Sequence, residues 1–528
     1  VSKRTFSLCI LALVLVVAWG SRLDVMEVDA AQYAGMSRDM LRSGEYLQLE
    51  FRGEDYLDKP PLLFWLSALS FKVFGVHDWS YRLPSILFAF LGIYSTYRFA
   101  VLYHGITIAR TAALMFGGST AFLLMTNDVR CDTILTATVI TAIWMGSAWL
   151  RNGRTAELLG FALAIGAGLL VKGPIAAVAP MLAVGGQLVF TRAWRKLLDL
   201  RLGLVPLVVG VMLLPMCIGL YQQFGVNGLR FYFWEQSFGR ITGENRWVDD
   251  STFLFFTHEL PWQVLPWVVF VGIGVWVALR DLFTLRREPE HASTIGAVSV
   301  FLALSFSHFK LPHYLYVTLP LFAVLGARAL HRGASRGVAR LHYGLLGLLW
   351  ALVFALVAVV FPSGSWPFLA LLIGLLVYAV RMIVRNGLHA SLLQVSFALI
   401  LVIGAIMNGH FYPRLLEYQA NAKVGQWVAE RGIPQDRFHG LQVSGTALDY
   451  YAGYPVGWLS NAEEAKLVIA PGTFIYTDAA RREELRRAGL VAVRETVFRN
   501  YPVQLLGADF LLPSMREAVV AEQFVLEF

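Results

Sequence analysis

The chain has 528 residues, 57% of them hydrophobic and only 15% charged, with a net charge of +8. A soluble domain carries about 25% charge, so most of this chain meets lipid, and its basic excess belongs to cytoplasmic loops before nucleic-acid binding is considered. Its three cysteines, Cys9, Cys131 and Cys217, form no C-x-x-C pair and imply neither a disulfide framework nor a thiolate metal site; no zinc-finger or RNA-binding pattern occurs.

A helix crosses a bilayer with about 20 apolar residues. Thirteen segments qualify in chain order: 6–20, 82–103, 109–126, 133–150, 157–171, 174–190, 202–222, 264–280, 293–307, 311–330, 341–361, 367–384 and 391–408. The first also reads as a signal peptide ending at Ala18, Trp19 and Gly20, which would leave twelve spans and the same topology. Alternate connections carry the cations: Arg151 and Arg154; Arg192, Arg195, Lys196 and Arg201; Arg280, Arg286 and Arg287; Arg332, Arg336 and Arg340; Arg381 and Arg385. With thirteen spans they all fall on one face, together with Lys3 and Arg4, and the positive-inside rule makes that face cytoplasmic. The other face receives loops 21–81 and 223–263, several short turns, and everything after residue 408.

Within loop 21–81, Tyr33, Met36, Met40 and Leu41 set a helical apolar stripe over 30–43, with Arg38, Asp39 and Arg42 on the opposite side and Gly44 as its stop. Such a helix is expected to rest on the lipid surface. The run 61–76, opened by Pro60 and Pro61, is short for a span and reads as a second interfacial helix. The tail 409–528 is more polar. Strand-like runs at 467–470, 474–477, 491–497 and 503–506 around a charged helix at 479–489 predict a small α/β domain behind a linker and leading helix at 409–425. The division is therefore a membrane domain at 1–408 and an extracytoplasmic α/β domain at 409–528.

The external loops gather ionisable groups at apolar edges, where an unpaired charge is costly and functional by default. They include Asp29, Tyr33, Asp58 and Lys59; Asp128 and Asp132; Lys172; Glu235 and Arg240; and His308, Lys310, His313 and Tyr314. Carboxylates can take a proton from an attacking hydroxyl or amine. Lysines and arginines can hold a phosphate and the negative charge growing on it, without a metal. Plainer roles fit the same residues. Asp29 directly precedes the first external helix and can cap it, Asp128 can be a solvated acid before a helix, and Lys59 can be a headgroup anchor. Lys172 can snorkel, the two histidines can be structural, and Glu235 can pair with Arg240.

Asp29, Tyr33 and Ala34, followed by Ser37 to Leu41 and by Ser43 and Gly44, resemble the Asp-Glu-x-x-Tyr-Ala…Arg-Glu-Met…Gly signature of bacterial lipid A aminoarabinose transferases, which are similar in turn to the protein O-mannosyltransferases. Tyr56 to Leu62, with Trp65, Phe74 and Gly75, resembles that family's Tyr-Phe-Glu-Lys-Pro-Pro…Trp…Phe-Gly segment. Arg82 to Ser85, Arg130 with Asp132, Lys172 to Pro174, Glu235 with Gly239 and Arg240, and Lys310 to Tyr314 follow in family order, covering about residues 1–330. Two departures stand out: Ala30 replaces the second acid of the first motif, and Asp58 replaces the Glu before the lysine.

The resemblance implies the GT-C fold and inverting transfer of a monosaccharide from an undecaprenyl-phosphate donor, at an extracytoplasmic site in a bacterial cytoplasmic membrane. It places Asp29 and Asp132 in catalysis and Lys59, Lys172, Arg240 and Lys310 at the donor phosphate. Tyr33, Asp58, Glu235 and Tyr314 fall to substrate binding. The acceptor is a lipid such as lipopolysaccharide, a glycan or a protein; no nucleic acid is involved, and a monomer is expected. No cofactor is obligatory, and a divalent metal is an option for which Asp58, His308 and His313 are the candidates. A transporter or flippase of lipid-linked sugars is the alternative, disfavoured because span centres lack charge and no internal repeat is visible.

Overall fold

The computed structural model describes residues 2–235, 251–284 and 288–528. Nine of its helical stretches are long and apolar enough to cross a membrane: Lys3–Gly20, Asp78–Gly117, Cys131–Asn152, Thr155–Lys172, Leu200–Phe224, Pro312–His331, Arg336–Val360, Trp366–Asn386 and Leu388–Tyr418. The protein is an integral membrane protein. The stretch Asp78–Gly117 holds two helices divided at Gly105, whose φ of 76° breaks the helical geometry; they fall on the second and third expected spans, and the short helix Thr120–Asn127 follows. Helices Ile175–Phe190, Val268–Phe283 and Ala292–Ser305 fall on expected spans but have only 16, 16 and 14 residues.

In chain order the site-bearing elements are α1 (Lys3–Gly20), α2 (Asp29–Ser43), the two-residue strands β1 (Glu50–Phe51) and β2 (Glu54–Asp55), α3 (Leu62–Phe74), α4 (Asp78–Gly117), α5 (Thr120–Asn127), α6 (Cys131–Asn152), α7 (Thr155–Lys172), α8 (Ile175–Phe190) and α9 (Leu204–Phe224). Gly153, at φ 70°, closes α6 and turns the chain back into α7, so the start of α6 and the end of α7 lie at one end of the bundle. One apolar core runs from Leu13 through Phe64, Phe116 and Ile140 to Phe397, and reaches Ala447 and Tyr450 of the tail.

Both first-loop helices form where expected, and Gly44 stops α2 in the left-handed conformation at φ 73°. α2 packs between α3 and the tail helix Thr446–Ala452, and Tyr33, Met36, Arg38 and Met40 are buried. Arg38, expected on a polar outer face, is 2% exposed because the carbonyls of Asp449 and Tyr450 each accept from its Nη1 at 2.8 Å.

The tail carries a five-stranded sheet of β3 (Phe438–Leu441), β4 (Gly457–Leu459), β5 (Phe474–Asp478), β6 (Arg494–Asn500) and β7 (Ala521–Glu527), in the order β4-β3-β5-β7-β6. β3 runs parallel to β4 and β5, while β7 is antiparallel to β5 and β6. The expected strand at 467–470 is instead the end of helix Ala462–Val468 and the turn after it, and 503–506 forms no strand. Val424, Phe438, Tyr476 and Val525 fill the tail's own core.

Candidate functional site

Asp29 is the first residue of α2. The residue at the capping position is Val28 and no side chain caps the helix, so Asp29 does not act as the cap. Its carboxylate instead accepts from Nη1 of Arg130 at 2.8 Å, while Nε of Arg130 donates to Asp128 at 2.6 Å. Arg130 stands at the residue before α6, so the turn between α5 and α6 is pinned to the start of α2. Asp128 is 15% exposed and ion-paired rather than solvated. Asp29 keeps a side chain 41% exposed, within reach of an incoming group.

In the first turn of α6, Asp132 is 4% exposed and accepts from Nζ of Lys172 at 2.5 Å. Nε2 of His313 lies 3.8 Å from its other oxygen, and Lys172 stands 4.1 Å from the centre of the Tyr314 ring. The antiparallel pairing of α6 and α7 brings this acid and this cation together over a sequence gap of 40 residues. A buried carboxylate needs such a partner to stay charged.

Lys59 pairs with its neighbour Asp58. Burial opposes the ammonium charge, but the Asp58 carboxylate outweighs it, with smaller help from Cys131 and Tyr314, and holds the Lys59 pKa above its ordinary value. Tyr33 packs edge-on against Phe64 at 5.6 Å. Burial pushes its hydroxyl pKa up, reinforced by Cys131, Tyr56, Asp29 and Asp58, so it stays a neutral hydrogen-bonding group. Cys131 sits within electrostatic reach of Lys59, Asp132, Lys172 and Asp58, and marks the centre of the cluster.

Asp29, Tyr33, Asp58, Lys59, Asp132, Lys172, His313 and Tyr314 thus converge from the first loop, α6, α7 and the turn before Leu319–His331. Lys310 is 6% exposed and donates from Nζ to the carbonyl and hydroxyl of Ser251 at 3.2 and 3.3 Å. Glu235 pairs with Arg230 at 3.4 Å. Arg240, its expected partner and a phosphate candidate, lies outside the described residues. Among the described residues no three His, Cys, Asp or Glu side chains gather as a metal site. Asp58 is engaged by Lys59, His313 faces Asp132, and His308 joins no such group.

Sequence reasoning gave no role to Arg130, nor to an apolar crevice beside Lys59. Leu47, Leu57, Pro61, Met216, Leu220 and Tyr232 line that crevice. Gln223, at the end of α9, holds it closed by bonding the backbone of Leu49 in both directions, at 3.0 and 3.1 Å. Gly219 makes this approach possible: a Cβ there would stand 2.0 Å from the Leu47 carbonyl oxygen.

The tail also grips the segment before Asp29. The Val28 carbonyl accepts from Thr446 at 2.8 Å, and the Glu27 amide donates to Gln419 at 3.0 Å. The Glu27 carboxylate accepts from Asn421 at 3.0 and 3.1 Å. Arg52 donates to both oxygens of Asp449 at 2.6 and 2.9 Å. Arg82, fully buried in α4, donates to the carbonyls of Leu23, Asp24 and Asn127 at 2.6–2.9 Å, joining the first loop to the end of α5.

The helical bundle, the two short helices of the first loop and the α/β tail define an integral membrane protein. Its fold matches the crystal structure of ArnT from Cupriavidus metallidurans bound to undecaprenyl phosphate with a TM-score of 0.75 at 20% identity, over 94% of this chain and 96% of that one. The apo form of the same protein matches with a TM-score of 0.72 over 93% and 97%. The chain is thus ArnT-like in fold, as its external motifs imply. Residues 58–219 match the family described as dolichyl-phosphate-mannose-protein mannosyltransferase. The undecaprenyl phosphate-alpha-4-amino-4-deoxy-L-arabinose arabinosyl transferase of Pseudomonas paraeruginosa is 29% identical over 312 residues, 57% of this chain and 55% of its own. That of Edwardsiella ictaluri is 27% identical over 355 residues, 64% of this chain and 61% of its own. The chain thus spans little more than half the length of these curated relatives.

Proposed function

We propose that the protein is an inverting glycosyltransferase that moves one sugar from an undecaprenyl-phosphate carrier to an acceptor on the extracytoplasmic side of a bacterial cytoplasmic membrane. The observation that carries this reading is a reachable carboxylate, Asp29, in one cluster with the half-buried cations Lys59 and Lys172, beside an apolar crevice. A polyprenyl chain needs the crevice, its phosphate needs the cations, and an acceptor hydroxyl or amine needs the base.

In this mechanism Asp29 takes the acceptor proton while Arg130 keeps the carboxylate oriented. The acceptor oxygen or nitrogen attacks the anomeric carbon from the face opposite the phosphate. That bond forms as the sugar–phosphate bond breaks, and the electron pair leaves with the phosphate oxygen. Lys59 and Lys172 stabilise the charge that grows there, and Lys310 adds to them. Asp132, locked to Lys172 and nearly inaccessible, holds that cation in place rather than serving as a base. Tyr33 and Tyr314 form walls for the sugar.

The sugar and the acceptor follow from a donor panel. Purified full-length protein is incubated with undecaprenyl-phosphate sugars in detergent, and release of free undecaprenyl phosphate is followed by mass spectrometry. Release from one donor class, accelerated by a lipid, glycan or protein acceptor, supports the reading. Movement of donor across sealed vesicles with no release in detergent in the presence of those acceptors would replace it with a flippase.

A further inference from the structure

A second polar cavity, of about 480 Å³, lies where the first loop meets the tail. Its walls include Arg22, Arg38, Arg42, His77, Trp79 and Tyr450. Arg38 is matched by Asp39 at 2.8 Å. Asp78, the acid in the lining, accepts from the Tyr451 hydroxyl at 2.9 Å and faces the buried Arg82. Arg42 donates to the Gly453 carbonyl, which carries no charge. Among the described residues neither Arg22 nor Arg42 has a carboxylate within ion-pair distance, and both are exposed. The cavity therefore holds two guanidinium groups with no ion-pair partner among the described residues.

Its height relative to the bilayer follows from its rim. Arg22 comes two residues after the end of α1, and Trp19, in the last turn of that span, is exposed. On the other side Val76 and Trp79 are exposed, continuing the exposed Leu69, Val73 and Phe74 of α3. Exposed tryptophans and apolar side chains at a span end mark the membrane–water boundary. A cavity with two arginines at that level is placed to meet lipid phosphates, and basic groups are attracted to an anionic membrane surface. Guanidinium groups also bind phosphate oxygens in pairs.

We infer that this cavity is a binding site for the phosphate headgroup of an anionic membrane phospholipid, held by Arg22 and Arg42 with Trp79 and Tyr450 as walls. It is separate from the cluster around Cys131 and does not depend on the transfer chemistry. A lipid seated there would bridge the end of α1 and the tail helix Thr446–Ala452, and so hold the tail against the membrane.

The test is native mass spectrometry on delipidated full-length protein incubated with phosphatidylglycerol or with phosphatidylcholine. Wild type is expected to retain phosphatidylglycerol about tenfold over phosphatidylcholine, as two charge-assisted contacts would give. Arg22→Ala with Arg42→Ala should lose that excess, and Arg22→Glu alone should reduce it. Arg437→Ala with Lys466→Ala, which removes two exposed charges elsewhere on the tail, should keep it. Thermal unfolding of each variant without lipid checks that the fold is intact. Equal retention of both lipids by wild type, or equal retention of phosphatidylglycerol by wild type and the double variant, overturns the site. Stabilisation of wild type by inorganic phosphate alone, to the same extent as by phosphatidylglycerol, would make the ligand a free phosphate and overturn the lipid assignment.

Discussion

Arg130 donates to Asp29 across 2.8 Å, so the turn before α6 fixes the acid that opens α2. The same guanidinium holds Asp128, which leaves Asp29 oriented from one side and open on the other. Arg130→Ala is expected to lower the transfer rate constant about 100-fold, the scale of a misplaced reacting group, with a smaller change in donor KM. Arg130→Lys should restore only part of it, because an ammonium cannot span two carboxylates with the geometry of a guanidinium. Steady-state kinetics on the purified variants measures the split.

The Lys172–Asp132 pair makes a stability prediction separable from function. Lys172→Ala leaves Asp132 charged and buried, at a cost of about 3–5 kcal/mol. The double change Lys172→Met with Asp132→Asn removes both charges and should recover most of that loss while transfer stays low. Thermal unfolding in detergent and donor turnover, measured side by side, distinguish the two effects.

Glu27 predicts a pH dependence in the grip of the tail on the first loop. Burial raises its pKa above the ordinary carboxylate value, against hydrogen bonds from Asn421 and Ala447 that favour the charged form. A carboxyl with a raised folded-state pKa contributes stability that is fully present below its unfolded value, about 4.3. That contribution is lost as pH rises through the folded value. Wild type should therefore lose stability relative to Glu27→Gln as pH climbs from about 4 toward neutrality. Hydrogen exchange over residues 420–452, compared between the two proteins, reads this directly.

Gly219 tests the crevice. An added methyl at that position meets the Leu47 carbonyl, so Gly219→Ala must push the first loop off α9. Donor KM is expected to rise several-fold, by about 1 kcal/mol or more of lost binding, with kcat changed less. An unaltered KM would remove the crevice from donor binding.

The elements that depend on local pattern were legible in the residues themselves. Apolar length marked the spans, helical spacing marked α2 and α3, and Gly44 marked the end of α2. What escaped was decided by distant chain. Arg38 falls on the polar side of its helix by spacing, yet it is buried because carbonyls more than 400 residues later surround it. Asp29 has the form of a helix cap, but its partner is Arg130, 101 residues on. β3 and β7 were missed because a four-residue strand such as Phe438–Leu441 shows too little alternation to be told from a turn, and β7 opens with the polar residues Glu522 and Gln523.

The central claim is most directly tested by incubating wild type and Asp29→Asn with the same undecaprenyl-phosphate sugar panel and acceptors, and measuring free undecaprenyl phosphate by mass spectrometry. Wild type should release it from one donor, and the folded variant should fall to background. Equal release by Asp29→Asn would contradict the role of Asp29 as base, and no release by wild type with any donor and acceptor would contradict the transferase itself.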